Sequence, residues 1–256
     1  MYIKYFIRLI FSLSFFITVN YSCFAQFQDT LISYKPIERQ KLVSFIAPAI
    51  FVGYGLISLS DKSEIRRLDL TTRSELQEDH PLFAAHVDNY IQFAPAVMAM
   101  GLNLIGIKGR HSLTDATGIY LMSIGLMGAT VTSLKNMTYR SRPDYSSLNS
   151  FPSGHTATVF ASAEFLHQEF KDSHPWIGYA GYTIATATGA LRMYNNRHWL
   201  SDVVAGAGFG IFSTKISYLL YPKLRRLILR QQPSLNYQLV PSIQNNSLGF
   251  RFSGNF

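Results

Sequence analysis

Phe151-Pro152-Ser153-Gly154-His155-Thr156 runs directly into Ala157-Thr158-Val159-Phe160-Ala161-Ser162-Ala163. Together they predict a helix that starts at Ser153. Pro152 stops any preceding regular element and fixes φ. Ser153 is a favoured N-cap, and the small apolar residues beyond it continue as helix. Gly154 lets the backbone approach a ligand closely. The unpaired N–H groups of such a helix start, at its positive dipole end, suit an anion. His155 stands beside them with a proton to exchange near neutral pH. Alone, these residues more often make an ordinary cap with a hydrogen-bonded histidine.

The surrounding chain is apolar with a basic excess. Of 256 residues, 48% are hydrophobic and only 15% charged, yet the formal charge is +8. The length supports one domain with a real core. This is not a nucleic-acid-binding composition. Basic clusters of this kind suit a membrane surface or a phosphate-bearing substrate, solubility being the plain alternative. Cys23 is the only cysteine, so no disulfide forms within the chain.

Residues 1–25 read as a signal peptide or an N-terminal anchor. Lys4 and Arg8 precede an apolar run from Leu9 to Val19, and Cys23-Phe24-Ala25 ends on a small residue. Cleavage there removes two bases and no acid, taking +8 to +6. Residues 26–230 read as a helical domain. Leu42–Leu59, Ile91–Ile107, Leu113–Leu134 and Val203–Leu220 approach the length that crosses a bilayer, with Trp176–Met193 borderline. Thr156–Phe170 carries Glu164 and His167 and so must face protein or a site. Gly206 with Gly210, and Gly125 with Ala129, have small-xxx-small spacing for close helix packing. Asp61–Asn89 reads as a loop with a short amphipathic helix. Residues 231–256 form a tail with the alternation of a β-hairpin, turning at Gln244-Asn245-Asn246-Ser247. The fold class is all-α: a membrane-embedded helical bundle of about six core helices with a short β-like tail. A buried-helix soluble protein is the rival.

Two stretches flank the central one. Upstream, Lys135 and Arg142-Pro143 are separated by six residues at a helix end. An ammonium and a guanidinium fork together can hold phosphate oxygens, although bases at a membrane edge also serve as anchors. Downstream, His198 and Asp202 are spaced i, i+4 and share a helix face, with Arg192 just before them. A carboxylate on one ring nitrogen leaves the other free and basic, the arrangement of an oriented nucleophile, though such pairs are also structural.

The series K-x6-R-P, P-S-G-H, R-x5-H-x3-D resembles the type 2 phosphatidic acid phosphatase superfamily, which includes class A acid phosphatases and vanadium haloperoxidases. The resemblance covers roughly Leu113 to Leu220. It departs where the family commonly has serine before the third-motif arginine and this chain has Leu191. It implies a metal-independent phosphatase without cofactor. His198 would attack phosphorus to form a phosphohistidine, oriented by Asp202. His155 would protonate the leaving oxygen and later activate water. Lys135, Arg142 and Arg192, with Ser153 and the Gly154 backbone, would bind the phosphate. A Glu164–His167 metal-ligand pair is the weaker alternative use of those residues.

The implied partner is a membrane lipid bearing a phosphate or diphosphate: lipid A, undecaprenyl diphosphate, phosphatidylglycerophosphate or phosphatidic acid. The implied location is the bacterial inner membrane, with the site facing the periplasm. A soluble periplasmic acid phosphatase, a haloperoxidase and a non-enzymatic scaffold are the competing functions. Lys35, Arg39, Lys41, Lys108, Arg110, Lys171 and the bases from Lys223 to Arg230 favour the side opposite the motifs as cytoplasmic. A cleaved leader would reverse the parity of six full spans.

Overall fold

The computed structural model of the protein describes residues 42–81, 83–228, 237–244 and 247–254. The expected signal peptide or anchor and the tail-turn residues Asn245 and Asn246 lie outside them. A short 3-10 turn at Leu42–Phe45 leads into α1 (Ile46–Ile57), followed by α2 (Glu64–Asp79), α3 (Asp88–Ile91) and α4 (Ala94–Leu104). Then come α5 (Leu113–Thr138), α6 (Gly154–Phe170), α7 (Pro175–Tyr194) and α8 (Leu200–Ile228). Two strands, β1 (Tyr237–Gln244) and β2 (Ser247–Gly254), pair antiparallel, with Gln244 opposite Ser247.

Helix α6 is the centre of the bundle, packed against α4, α5, α7 and α8. Its alanines, serine and threonines let neighbours approach from all sides, and Val159, Phe165, Leu166 and Phe170 fill the remaining space, each 0% exposed. Helix α8 lies closest. A Cβ added at Gly206 would fall 2.6 Å from the Ser153 carbonyl oxygen, and one at Gly210 would overlap the Ala157 carbonyl. The Gly125–Ala129 pair makes no such joint. A Cβ at Gly125 would meet nothing within 4 Å. The buried face of α5 is Ala116, Ile119, Ser123, Met127 and Val131, and Gly125 lies on the opposite one.

Among the described residues two helices, Leu113–Thr138 and Leu200–Leu227, are long and apolar enough to cross a membrane. Two other expected spans come out shorter, while the borderline Trp176–Met193 lies in the 20-residue helix Pro175–Tyr194. Leu42–Ile57 is a shorter apolar helix, and Ala94–Leu104 has 11 residues. At ~1.5 Å per residue that helix reaches about half of a ~30 Å hydrocarbon core. Pro95 sets its start, and the Gly106 backbone at φ 97° turns the chain just past its end.

Helix α2 is the helix expected within Asp61–Asn89, and it is longer than expected. Ser63 Oγ accepts the Arg66 N–H at 3.1 Å, and Glu64 occupies the first turn, so the helix starts firmly and runs for 16 residues. The residue it buries is a carboxylate, with Ile65, Thr72 and Leu76 half-buried on the same face. Asp69 is 1% exposed while Leu68 and Leu70 are 52% and 47% exposed.

Candidate active site

All three motifs occupy the same end of the bundle. Lys135 is in the last turn of α5, Ser153 precedes α6, Arg192 is in the last turn of α7, and His198 precedes α8. Local geometry explains each placement. Tyr139 adopts a left-handed conformation at φ 44°, which ends α5 and turns Arg140 back into the protein. Asn196, at φ 55°, ends α7 the same way. Its N–H reaches Met193 O at 2.8 Å while Arg197 N–H reaches Arg192 O at 3.0 Å, the paired bonds of a Schellman motif. Asparagine tolerates that conformation, so the turn from Arg192 to His198 is set locally.

Ser153 stands at the N-cap, yet its hydroxyl does not cap. Its Oγ lies 2.9 Å from Thr156 Oγ1, and its N–H donates to Asp202 O at 3.0 Å. That second bond joins the central motif to the downstream one. At Gly154 an added Cβ would meet nothing nearer than 4.0 Å. Packing therefore does not demand glycine there, and space remains over the helix start.

A cleft of about 300 Å³ is lined by Arg142, His155, Arg192 and Arg197, with Phe83, His86 and Asn89 across from them. Lys135, Ser153, Gly154 and His198 are not among the lining residues. His198 is 3% exposed and Asp202 is 0% exposed. The His198 Nδ1 is 3.7 Å from Asp202 Oδ2, beyond hydrogen-bond distance. Catalytic hydrogen bonds are often this long before substrate binds. Asp202 is otherwise held tightly: Oδ2 accepts the Trp199 N–H at 3.0 Å and the Ser150 hydroxyl, and Oδ1 accepts from Arg140 at 2.7 Å. Lys135 Nζ donates to Asn149 O.

Burial, followed by the Arg192 charge and those of Arg142 and Lys135, pushes the His155 pKa down to about 4. All three cations are thus close enough to act on one imidazole. Burial likewise holds His198 at about 4, against the pull of Asp202. Both rings are neutral near pH 7. The Arg142 pKa is lowered, first by burial and then by Arg192. The Nε atoms of Arg142 and Arg192 are buried and have no hydrogen-bond partner.

Several contributors were not legible beforehand. Asp88, 1% exposed at the start of α3, binds Arg192, and the adjacent Asn89 Oδ1 is 2.8 Å from His155 Nε2. Both lie in Asp61–Asn89, the stretch expected to be a loop with a short amphipathic helix. Arg140 sits inside the upstream motif but between its two recognised bases, and Asp69 comes from α2. The residue types offered the only sequence signal: an acid in a polar stretch reads as solvated. The alternative use of Glu164 and His167 as metal ligands does not fit. Glu164 is occupied by Lys215 at 2.8 Å, by Gln168 at 2.6 Å and by the Tyr182 hydroxyl.

The model of the PAP2 superfamily matches residues 116–226. A lipid A 1-phosphatase of Porphyromonas gingivalis is 36% identical over 195 residues, 74% of this chain and 40% of that protein. The bacitracin transport permease protein BcrC of Bacillus licheniformis is 34% identical over 96 residues, 37% of this chain and 45% of that one. The chain thus spans less than half the length of these curated relatives. Among solved structures, a transmembrane PAP2 type phosphatidylglycerolphosphate phosphatase from Bacillus subtilis superposes with TM-score 0.46 at 19% identity, covering 73% of this chain and 99% of that one. Aquifex aeolicus LpxE gives TM-score 0.42 at 23% identity, covering 56% and 92%.

Proposed function

The chain belongs to the PAP2 superfamily, and from that premise we propose that it is a membrane phosphatase acting on a lipid phosphate or diphosphate. One observation carries the reading. Arg142 and Arg192 line a single cleft with His155, and the buried Nε of each arginine has no hydrogen-bond partner within the protein. That is a receptor for an oxyanion beside a proton carrier.

The neutral His198, with Nδ1 toward Asp202, presents Nε2 to phosphorus. The N–P bond forms as the bond to the leaving oxygen breaks, and His155 supplies that oxygen with its proton. The imidazolium charge on the phosphorylated ring is matched by Asp202. In the second half, His155 takes a proton from water, whose oxygen attacks phosphorus and releases His198. Lys135, Arg142 and Arg192 offset the charge on the equatorial oxygens in both steps, a role that needs no added metal. Ser153 and the Gly154 backbone complete the anion site. In the empty cleft the three cations keep His155 deprotonated. A bound phosphate dianion offsets them and raises its affinity for the proton it must deliver.

The reading extends to the inner membrane with the cleft on the periplasmic side. Lys108 and Arg110 precede α5, Lys171 follows α6, and Lys223, Arg225 and Arg226 close α8. All lie at helix ends away from the motifs, as cytoplasmic bases do. The test is phosphate release by purified protein in detergent from a panel of lipid phosphates, lipid A first, with EDTA present. Release from at least one lipid in EDTA is expected. No release from any, or release only with added magnesium, refutes the reading.

A further inference from the structure

We infer that Asp69 and Arg140 are positioning residues for the nucleophilic histidine, acting through Asp202; the inference rests on the phosphatase reading above. Arg140 is shared between two carboxylates. Its NH2 donates to Asp69 Oδ2 at 2.6 Å and its NH1 to Asp202 Oδ1 at 2.7 Å. The Arg140 side chain is 8% exposed and both carboxylates are 0% exposed. Ser201 binds the same pair: its N–H and hydroxyl donate to Asp69 at 2.8 and 2.7 Å, and its Oγ accepts from Arg140 at 2.9 Å. Ser58 Oγ accepts from Arg140 at 3.1 Å. Arg66 stands outside, 3.8 Å from Asp69, with its guanidinium over the Trp199 ring.

The row Arg66, Asp69, Arg140, Asp202 therefore alternates in charge and ends on the neutral His198. Its order has two consequences. Arg140 locks Oδ1 of Asp202, so the carboxylate cannot rotate away from His198. Asp69 claims the other guanidinium nitrogen, so Arg140 cannot close a two-pronged pair on Asp202 and use up its charge. Asp202 keeps negative charge directed at the ring that turns cationic when phosphorylated. Ser58 and Asp69 lie outside the 116–226 stretch matched by the family model. The support for the nucleophile is thus completed by α2 and the end of α1.

The test uses the full chain in detergent and a soluble aryl phosphate. It reads kcat, KM, inhibition by inorganic phosphate and the rate of phosphohistidine formation. Asp69→Asn and Arg140→Gln should each lower kcat and phosphohistidine formation by ~100-fold, the scale of a ~1 Å misplacement. KM and the phosphate inhibition constant should stay within about threefold, because Lys135, Arg142 and Arg192 are untouched. Arg140→Lys should recover about tenfold over Arg140→Gln, since it keeps the charge but loses the fork. The double variant should lose less than the product of the single losses. If Arg140→Gln does not accumulate, Ser201→Ala takes its place, with a loss of about tenfold expected in kcat alone. An active wild type whose variants keep kcat within threefold overturns the inference alone. So does a kcat loss matched by an equal weakening of phosphate inhibition. A wild type that hydrolyses no ester overturns the phosphatase reading and this inference with it.

Discussion

Gly206→Ala should uncouple the two histidine motifs. Gly206 lies on α8 one turn after Asp202, against the start of α6. The added Cβ would sit 2.6 Å from Ser153 O, 3.2 Å from Thr156 Cβ and 3.3 Å from Ala157 N. Ser153 O cannot swing aside without losing the Ala157 N–H, which it accepts at 3.0 Å. Restoring a ~3.5 Å separation moves α8 outward by roughly 0.9 Å. The 3.0 Å bond from Ser153 N–H to Asp202 O then stretches past hydrogen-bond range. Asp202 moves with α8, while His155 stays with α6. Overpacking costs ~1–3 kcal/mol, and a ~1 Å misplacement of the chemistry costs ~100-fold in rate. The assay pairs thermal unfolding in detergent with kcat/KM on a soluble aryl phosphate. Gly125→Ala, with open space around the new Cβ, is the control and should hold activity and stability or gain up to ~1 kcal/mol from helix propensity. A Gly206→Ala protein that keeps kcat/KM within threefold and the wild-type Tm would refute the packing argument.

Three further outcomes follow from the same geometry. Burial holds the folded-state pKa of His198 at about 4, below its ordinary 6.5, so the fold favours the neutral ring. The stability this contributes is complete above pH 6.5 and is lost as pH falls toward 4, by roughly 3 kcal/mol at most. Wild type should therefore lose more Tm than His198→Asn between pH 6.5 and 4, and equal losses would refute it. His198→Ala should abolish turnover and the phosphoenzyme. His155→Ala should slow alkyl phosphates by ~10²–10⁴-fold but spare nitrophenyl phosphate, whose leaving group needs no proton. Phosphate trapped on His155 in the His198→Ala protein would reverse that assignment. Finally, Asp88→Ala should free Arg192 from its buried partner and weaken inhibition by inorganic phosphate about tenfold, through lost orientation of the guanidinium. Tighter inhibition would show instead that Asp88 competes with the anion.

Much of the site was legible because its residues sit at helix ends, and helix ends are written locally. Pro152 and Ser153 announce the start of α6, Pro143 closes the upstream motif, and the i, i+4 spacing puts His198 beside Asp202 whatever else the chain does. The apolar runs of α5 and α8 identify themselves by length. So does the polarity of α6, which Glu164 and His167 force toward protein.

The tertiary structure decided which groups complete those local pieces. Asp69 and Asp88 sit in a mixed-charge stretch that reads as solvated, and a charge becomes a buried anchor only when a partner meets it. For Asp69 the partner is Arg140, 71 residues away, and for Asp88 it is Arg192, 104 residues away. No periodicity within either helix encodes such a meeting. The same holds for the two small-residue pairs. Gly206–Gly210 and Gly125–Ala129 are alike in spacing, yet Gly206 and Gly210 press on a neighbouring helix while Gly125 has open space around it. Spacing fixes the face on which two residues lie, and packing fixes what that face touches.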